Sequence, residues 1–460
     1  MAAAADTQAR PQFSRAYRGW FLAMLVAIYA CSFLDRVIIN TVGPAIIHDL
    51  RLSDLEFGLL GGMAFAIFYA SFGIPIAWLA ERFSRINIIA ICIALWSAMT
   101  AMCGLSGNYA QLLLFRMGVG VGEAGCGPPA QSLISDHFPP RQRASALAIY
   151  TAGVPIGVMI GAVAGGWIAQ SFNWRTAFVV VGLPGLLLAL LARLTLKEPA
   201  RGHSEATAVD AKAPSIGAVV RRLLSSGWTF GNVLAGFVLT NLAGNAVSVF
   251  TPTYFVRTFH MGLRDVGLLY GLVAGGAGVI GILIGGFGAD FAAKRDHRWY
   301  AWGPAIGAMT AFPVYLFAFT RSDPISTAAG IFAGALVLAL YFAPTFAIVQ
   351  NLVEPRMRAT AAALILLMIN IFGQGLGPTT MGLMSDLMAR SAFTLGDYKA
   401  LCPAAAGAPA DIAAACASAS ATGLQHSILV MTGFFAWGSL HYLLASRTLR
   451  RDLRFAAPAK

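Results

Sequence analysis

The chain is a succession of about twelve long apolar runs, at roughly 20–47, 55–80, 87–105, 108–134, 142–170, 175–196, 228–256, 264–289, 299–320, 325–352, 359–389 and 424–446. A helix needs about 20 residues to cross the hydrocarbon of a bilayer, so each run is a candidate span. Of 460 residues, 58% are hydrophobic and only 11% charged, against about 25% charged in soluble domains. Too few polar side chains remain to cover a soluble globule. Disorder, a collagen-like fibre and a small disulfide scaffold fail on the same numbers. A transmembrane β-barrel would alternate polar and apolar residues over ten-residue segments, whereas these runs are continuous. The 49 glycines and 21 prolines fit packed, interrupted membrane helices. The fold class expected is an all-α membrane protein of twelve transmembrane helices.

Charge orients the spans. With the N-terminus placed inside, 23 of the 32 Lys and Arg fall on inside segments, 7 outside, and Arg36 and Arg116 within spans. The positive-inside rule then predicts both termini in the cytoplasm, in a membrane of bacterial inner (plasma) type. Met1 to Arg18 has no apolar core or cleavage pattern and does not read as a signal peptide. The net charge of +12 follows from the loop bias and from contact with anionic headgroups. It does not point to nucleic acid.

The chain repeats itself. Pro140-Arg141-Gln142-Arg143-Ala144-Ser145-Ala146 matches Pro355-Arg356-Met357-Arg358-Ala359-Thr360-Ala361 at an offset of 215. Leu52-Ser53-Asp54-Leu55 resembles Leu263-Arg264-Asp265-Val266 at 211, and Glu81-Arg82 aligns with Asp290 at 209. The organisation expected is a tail (1–19), a six-helix bundle (20–196), a linker (197–227), a second six-helix bundle (228–446) and a C-terminal tail (447–460).

Two parallel six-helix halves are the plan of the major facilitator superfamily, with substrate held between them near the midplane. The turn Ala77-Trp78-Leu79-Ala80-Glu81-Arg82-Phe83-Ser84-Arg85 resembles that family's Gly-x-x-x-Asp-Arg-x-Gly-Arg loop, departing at Ala77, Glu81 and Ser84. The second copy, Gly286-Phe287-Gly288-Ala289-Asp290, keeps the Gly and the Asp. Within the superfamily, Phe33-Leu34-Asp35-Arg36, Arg116 with Gly120-Val121-Gly122-Glu123-Ala124, and Ser135-Asp136-His137-Phe138-Pro139-Pro140 resemble the spinster family. That resemblance implies proton-linked movement of lysophospholipids or sphingoid phosphates, with the proton as coupling ion and no other cofactor.

Four ionisable residues stand inside spans: Asp35 and Arg36 in the first, Arg116 and Glu123 in the fourth. Each costs on the order of 2.5–3.5 kcal/mol at a helix centre, which marks a functional site or a bound partner. Arg116 and Glu123 lie two turns apart on one face. Asp35 and Arg36 point about 100° apart, so each needs a partner on another helix. Burial favours a protonated carboxyl and a neighbouring arginine an ionised one. Asp35 and Glu123 are therefore the candidates for proton coupling. Arg36 and Arg116 are the candidates for binding a phosphate or carboxylate. A static ion-pair network is the competing account.

Weaker candidates for cavity lining are Tyr29, Phe33, Asn40, Tyr150, Asn241, Asn245, Asn370 and Gln374. Buried amides in lipid more often bond neighbouring helices. Glu81, Arg82, Arg85, Asp136, Arg141 and Arg143, with Asp290, Arg356 and Arg358 in the second half, are candidates for an inner gate. Gly153, Gly157, Gly161 and Gly165, and again Gly267, Gly271 and Gly275, recur every fourth residue, which suits close helix packing. Gly118-Val119-Gly120-Val121-Gly122 lies inside a span and lacks a βαβ setting, so it is no nucleotide loop. Ser53-Asp54-Leu55-Glu56 reads as a capping box. Cys31, Cys92, Cys103 and Cys126 lie in spans, while Cys402 and Cys416 share the outer loop and are expected to form a disulfide. No metal-ligand spacing occurs among the histidines.

The function expected is a proton-coupled secondary transporter of an amphipathic, lipid-like anion. It would act as a monomer among membrane lipids, by alternating access. A carrier of small organic anions such as sugar acids is the alternative, because Asp-Arg in the first span resembles that branch too. A receptor or scaffold would need no charges within its spans. A membrane enzyme lacks a nucleophile–base or metal constellation.

Overall fold

The computed structural model describes residues 13–200, 215–402 and 409–456. Most of both tails and the middle of the linker lie outside the described residues, as does the side chain of Asp290. Every regular element among the described residues is helical. The first crossing is α1 (Arg15–Leu50). The second is α2 (Asp54–Gly61) with α3 (Met63–Arg82), the third α4 (Arg85–Cys103), and the fourth α5 (Tyr109–Glu123) with α6 (Gly127–His137). Next come α7 (Pro140–Thr151) with α8 (Gly153–Ser171), then α9 (Trp174–Thr195). A short α10 (Ile216–Ser225) precedes α11 (Gly227–Phe259), α12 (Leu263–Ala293) and α13 (Trp299–Phe319). The tenth crossing is α14 (Pro324–Leu338) with α15 (Phe342–Asn351). The eleventh is α16 (Arg358–Met368) and α17 (Leu376–Ala392), joined by a π-helical turn at Ile369–Gly375. Last come α18 (Tyr398–Leu401) and α19 (Ala410–Ala456).

Eleven helices among the described residues are long and apolar enough to cross a membrane. The twelfth crossing is the broken pair α5 and α6, of 15 and 11 residues. Its break is Ala124-Gly125-Cys126, and Pro128 and Pro129 in the first turn of α6 withhold backbone donors that a continuous helix would use. Polar caps start many of these helices: Ser84, Asn108, Asn173 and Asp323 each accept a backbone N–H. Both arms of the Ser53–Glu56 capping box form at α2. The last helix is longer than its apolar run, extending from Ala410 to Ala456. The alanine-rich stretch before residue 424 has high helix propensity without strong hydrophobicity, so it reads as loop by hydropathy alone.

Two glycines show how closely the helices approach. A Cβ at Gly157 of α8 would sit 2.1 Å from the carbonyl oxygen of Ala30 in α1, and one at Gly267 of α12 would sit 2.4 Å from that of Ala162 in α8. The first ladder thus packs within one half, and the second packs across the halves. Ile91, Leu114, Leu194 and Ile325 are each more than 60% exposed, as suits side chains facing lipid.

The buried core has three main parts. One runs across both halves, from Ile38, Val42 and Phe57 to Ala246, Phe250, Tyr254 and Met381. A second, with Phe21, Leu25, Ile93, Trp96 and Leu133, belongs to the first half alone. The third, with Val233, Phe237, Ile348 and Tyr442, belongs to the second. The shared core lies toward the end carrying the α1–α2 turn, here the far end. The separate cores lie toward the end rich in Lys and Arg, the basic end. The halves therefore join at the far end and stand apart at the basic end.

Candidate functional site

Arg36 projects from α1 toward the C-terminus of α5, where its Nε donates to Glu123 Oε2 at 2.5 Å. Ser32, one turn earlier, donates its hydroxyl to the same oxygen at 2.8 Å. The guanidinium lies over three rings: Phe33 at 4.9 Å, Phe65 at 4.6 Å and Tyr69 at 5.0 Å. Such faces attract a cation through the ring quadrupole. The Glu123 side chain is wholly buried, while that of Arg36 keeps 16% of its surface. A cation caged by rings, ion-paired yet partly open, can receive an anionic group without moving far.

Arg36 thus finds its partner on another helix. Arg116 and Glu123 share a face of α5, yet Glu123 takes Arg36 as its ion-pair partner. Arg116 is 2% exposed, with Nη1 donating to the backbone oxygen of Asp35 at 3.4 Å. Asp35 is wholly buried, and neither carboxylate oxygen has a hydrogen-bond partner. Arg36, not Arg116, is the guanidinium with open surface in this arrangement.

Among the lining candidates, Tyr29 stacks on Tyr150 at 4.4 Å and meets Phe33 edge-on at 5.1 Å. This extends the aromatic wall from Arg36 toward α7. In the second half, Asn241 donates Nδ2 to the Tyr341 hydroxyl at 3.0 Å, and Asn245 donates to Asn241 Oδ1 at 2.9 Å. Asn370 donates to the Leu366 carbonyl at 2.8 Å. Asn370 and Gln374 stand on the π-helical turn, a feature enriched at functional sites. Asn40 is buried close to Gly61, at the joint between halves.

At the basic end, Arg85 is 1% exposed. It bonds Asp136 at 2.5 Å, Glu198 at 2.7 Å, Ser132 at 2.8 Å and the Pro199 carbonyl at 3.2 Å. Glu198 also accepts from Ile86 N–H and Ser84 Oγ. Burial alone would push Glu198 up, but the Ile86 N–H, the Arg85 guanidinium and the Ser84 hydroxyl hold its carboxyl below the ordinary glutamate value. The sequence missed Glu198. Its one signal was a lone acid directly after the sixth span. Arg82 lies over Trp78 at 3.7 Å, and Arg143 donates to the Phe138 carbonyl at 3.2 Å. Arg356 pairs with Glu354 at 2.8 Å, and Arg358 donates to the Gln350 carbonyl at 3.1 Å. Glu81 and Arg141 are exposed. Each of these contacts stays within one half, as does Arg450–Asp296 at 2.5 Å.

The far end differs. Arg257 of α11 grips both oxygens of Asp54 at 2.6 and 2.7 Å. Ser385 of α17 donates to Asp54 at 2.5 Å, and Asp386 accepts the backbone N–H groups of Asp54 and Leu55, both at 3.0 Å. Two helices of the second half therefore hold the start of α2. Local sequence gave Asp54 only a capping role, because its partners lie 203 and 331 residues away. Cys402 and Cys416 are joined in a disulfide with Cα atoms 5.4 Å apart. No cluster of metal-ligand side chains occurs among the described residues.

Comparison with known proteins agrees with this architecture. Residues 25–378 match the family model of the Major Facilitator Superfamily. An MFS-type efflux pump of Mycolicibacterium smegmatis is 34% identical over 376 residues, covering 80% of this chain and 85% of that one. Protein spinster of Drosophila melanogaster is 27% identical, covering 81% and 62%. A probable galactarate/D-glucarate transporter of Bacillus subtilis is 28% identical, covering 60% and 66%. The crystal structure of a bacterial homolog of the human lysosomal transporter spinster, inward-facing and unoccupied, is 33% identical. It superposes with a TM-score of 0.87, over 96% of this chain and 99% of that one. These relatives are transporters and efflux pumps rather than enzymes. The chain is a spinster-like membrane transporter, and it belongs to the major facilitator superfamily.

Proposed function

We propose that this protein is a proton-coupled secondary transporter that moves an amphipathic, lipid-like anion by alternating access. One chain carries the whole site, with halves 20–196 and 228–446 rocking about the linker 197–227. The observation that carries this reading is the Arg36–Glu123 pair, partly open on its cationic side and wholly buried on its acidic side. An anionic headgroup arriving at Arg36 competes with Glu123 for the guanidinium. Glu123, once released, is a buried carboxylate that has lost its ion-pair partner, and taking up a proton relieves the cost. Headgroup and proton are thereby linked through one arginine, and the aromatic wall of Phe33, Tyr29 and Tyr150 suits an apolar tail.

With the basic end in the cytoplasm, as the charge bias supports, the separated cores at that end correspond to an inward-facing state. The Arg85 network then braces one wall of the inner mouth. Glu81, Arg82, Arg141, Arg143, Arg356, Arg358 and Asp290 are the residues expected to meet across the mouth when it closes.

A second reading is supported by the amides of Asn241 and Asn245, joined to the Tyr341 hydroxyl, with Asn241 against Gly373 of the π-helical turn. Amides suit the hydroxyls of a small sugar acid, and a sugar-acid transporter is among the relatives. Flux into proteoliposomes decides between them, comparing a lysophospholipid panel with sugar acids, each with and without a pH gradient. Gradient-dependent lysolipid flux is expected. Sugar-acid flux alone would favour the second reading, and flux indifferent to the gradient would remove proton coupling.

A further inference from the structure

A cavity of about 1030 Å³ opens at the far end, between the halves. One wall is the end of α1 and the start of α2, from Pro44 to Glu56. The other is built by α11, α17, α18 and the start of α19, where both cysteines of the disulfide line it. Arg36 and Glu123 are not among its lining, so it stands apart from the site described above. Seven Lys and Arg fall on the far-end side of the spans, and four of them converge here: Arg51, Arg257, Arg390 and Lys399. The positive-inside rule accounts for few cations at this end and not for their gathering. Four carboxylates also line the cavity, and each is engaged. Asp49 takes Arg175 and Trp174, Asp54 takes Arg257 and Ser385, Glu56 closes its own capping box, and Asp386 accepts two backbone N–H groups. Arg51, Arg390 and Lys399, by contrast, make no side-chain hydrogen bond or ion pair among the described residues. The bonding capacity left open in the cavity is therefore that of cationic donors. Arg51 adds a second sign. It closes α1 in the left-handed region, with φ at 52°, a conformation that glycine adopts more cheaply. Backbone strain of that kind persists where the side chain is used.

We propose that this cavity is a second anion site, binding a phosphate monoester on Arg51, Arg390 and Lys399. Three cations with no acid left to answer them suit a dianionic phosphate, which offers three oxygens to several donors at once. The guanidinium groups of Arg51 and Arg390 can each grip two oxygens, and Lys399 adds a point charge. Lys399 stands on α18, just before Cys402, so the disulfide to Cys416 ties the lysine's segment to α19. Beside the cations, Ile47, Leu52, Val256 and Leu263 line the cavity, giving an apolar attachment of the phosphate a surface to lie on. The Arg257–Asp54 pair joins the halves within the same lining, so a phosphate bound here sits against that joint. The site needs no proton transfer and stands whether or not Glu123 couples protons.

The test is isothermal titration of the full-length protein in uncharged detergent, with glycerol 3-phosphate and a short-chain lysophosphatidic acid below its micelle concentration as probes. Saturable binding that weakens as salt rises is expected. Arg51→Gln with Arg390→Gln and Lys399→Gln should weaken it about tenfold or more, since a hydrogen bond to a charged group is lost at each position. Should the triple variant not fold, Arg390→Gln and Lys399→Gln singly carry the test, each with a partial loss. Arg36→Gln should retain this binding, which separates it from any headgroup contact at the first site. Glycerol 3-phosphate binding as tightly as the lysolipid identifies the phosphate alone as the ligand. A tighter lysolipid identifies a lipid headgroup with its tail, and either result supports the site. No saturable binding of either probe, or binding undiminished by the loss of the three cations, would overturn it. So would binding that Arg36→Gln abolishes and the triple variant keeps.

Discussion

In the transport cycle proposed above, the chemistry turns on Arg36, whose guanidinium lies against three rings and one carboxylate at once. A planar, weakly hydrated cation suits that cage, and an ammonium does not. Arg36→Lys is therefore expected to cut transport about tenfold with the charge retained, since losing desolvated cation–π contact costs on the order of 1–2 kcal/mol. Initial-rate flux against substrate concentration checks this. Glu123→Gln should keep ligand binding while flux loses its dependence on the pH gradient, and unchanged gradient-driven flux would refute the role of Glu123. The four charges were legible in the sequence, since an ionisable group in a long apolar run is costly enough to mark a function or a bound partner. Their pairing was not. Arg116 and Glu123 share a helix face, but Arg36 reaches Glu123 across helices, and helical periodicity carries no information about that.

Between residue and molecule stand helices whose separations are set by single atoms. Gly267 faces the Ala162 carbonyl with no room for a methyl group. Gly267→Val should therefore push α12 from α8 and lower stability by about 1–3 kcal/mol, seen as an earlier thermal transition in detergent. The Arg85 knot makes a pH prediction. Glu198 sits below its ordinary value in the folded protein, so its contribution is present above the unfolded value and lost as pH falls through the folded one. Amide exchange at Ile86 should stay slow near neutral pH and quicken only below about pH 4.3, the ordinary glutamate value. Helix number and the repeat were readable because hydropathy and motif offsets are local signals. The start of α19 was not readable, because polar-looking alanine sequence hides a helix from a hydropathy scale.

For the whole molecule, the asymmetry of its joints matters most. Ion pairs bridge the halves through Asp54 and Arg257 at the far end, while those described at the basic end stay within a half. Asp54→Asn or Arg257→Gln should shift the population toward a far-end-open state by about 5- to 150-fold, the usual range of a coupling of about 1–3 kcal/mol. The charge swap Asp54→Arg with Arg257→Asp should recover part of it, as spin-label distances across the far end would report. Neither partner looks unusual within its own stretch of chain, so this joint became visible only once the fold brought residues 54 and 257 together.

On the alternating-access cycle proposed above, the shared core at one end and the separate cores at the other would act as a mechanical amplifier. An uninterrupted helix such as α11, with 33 residues, is a rod about 50 Å long. Pivoted near one tip, it turns a tilt of about ten degrees into roughly 9 Å of travel at the other. Sub-ångström repacking beside the fulcrum would thus be multiplied along the lever into several ångströms of opening at the basic end.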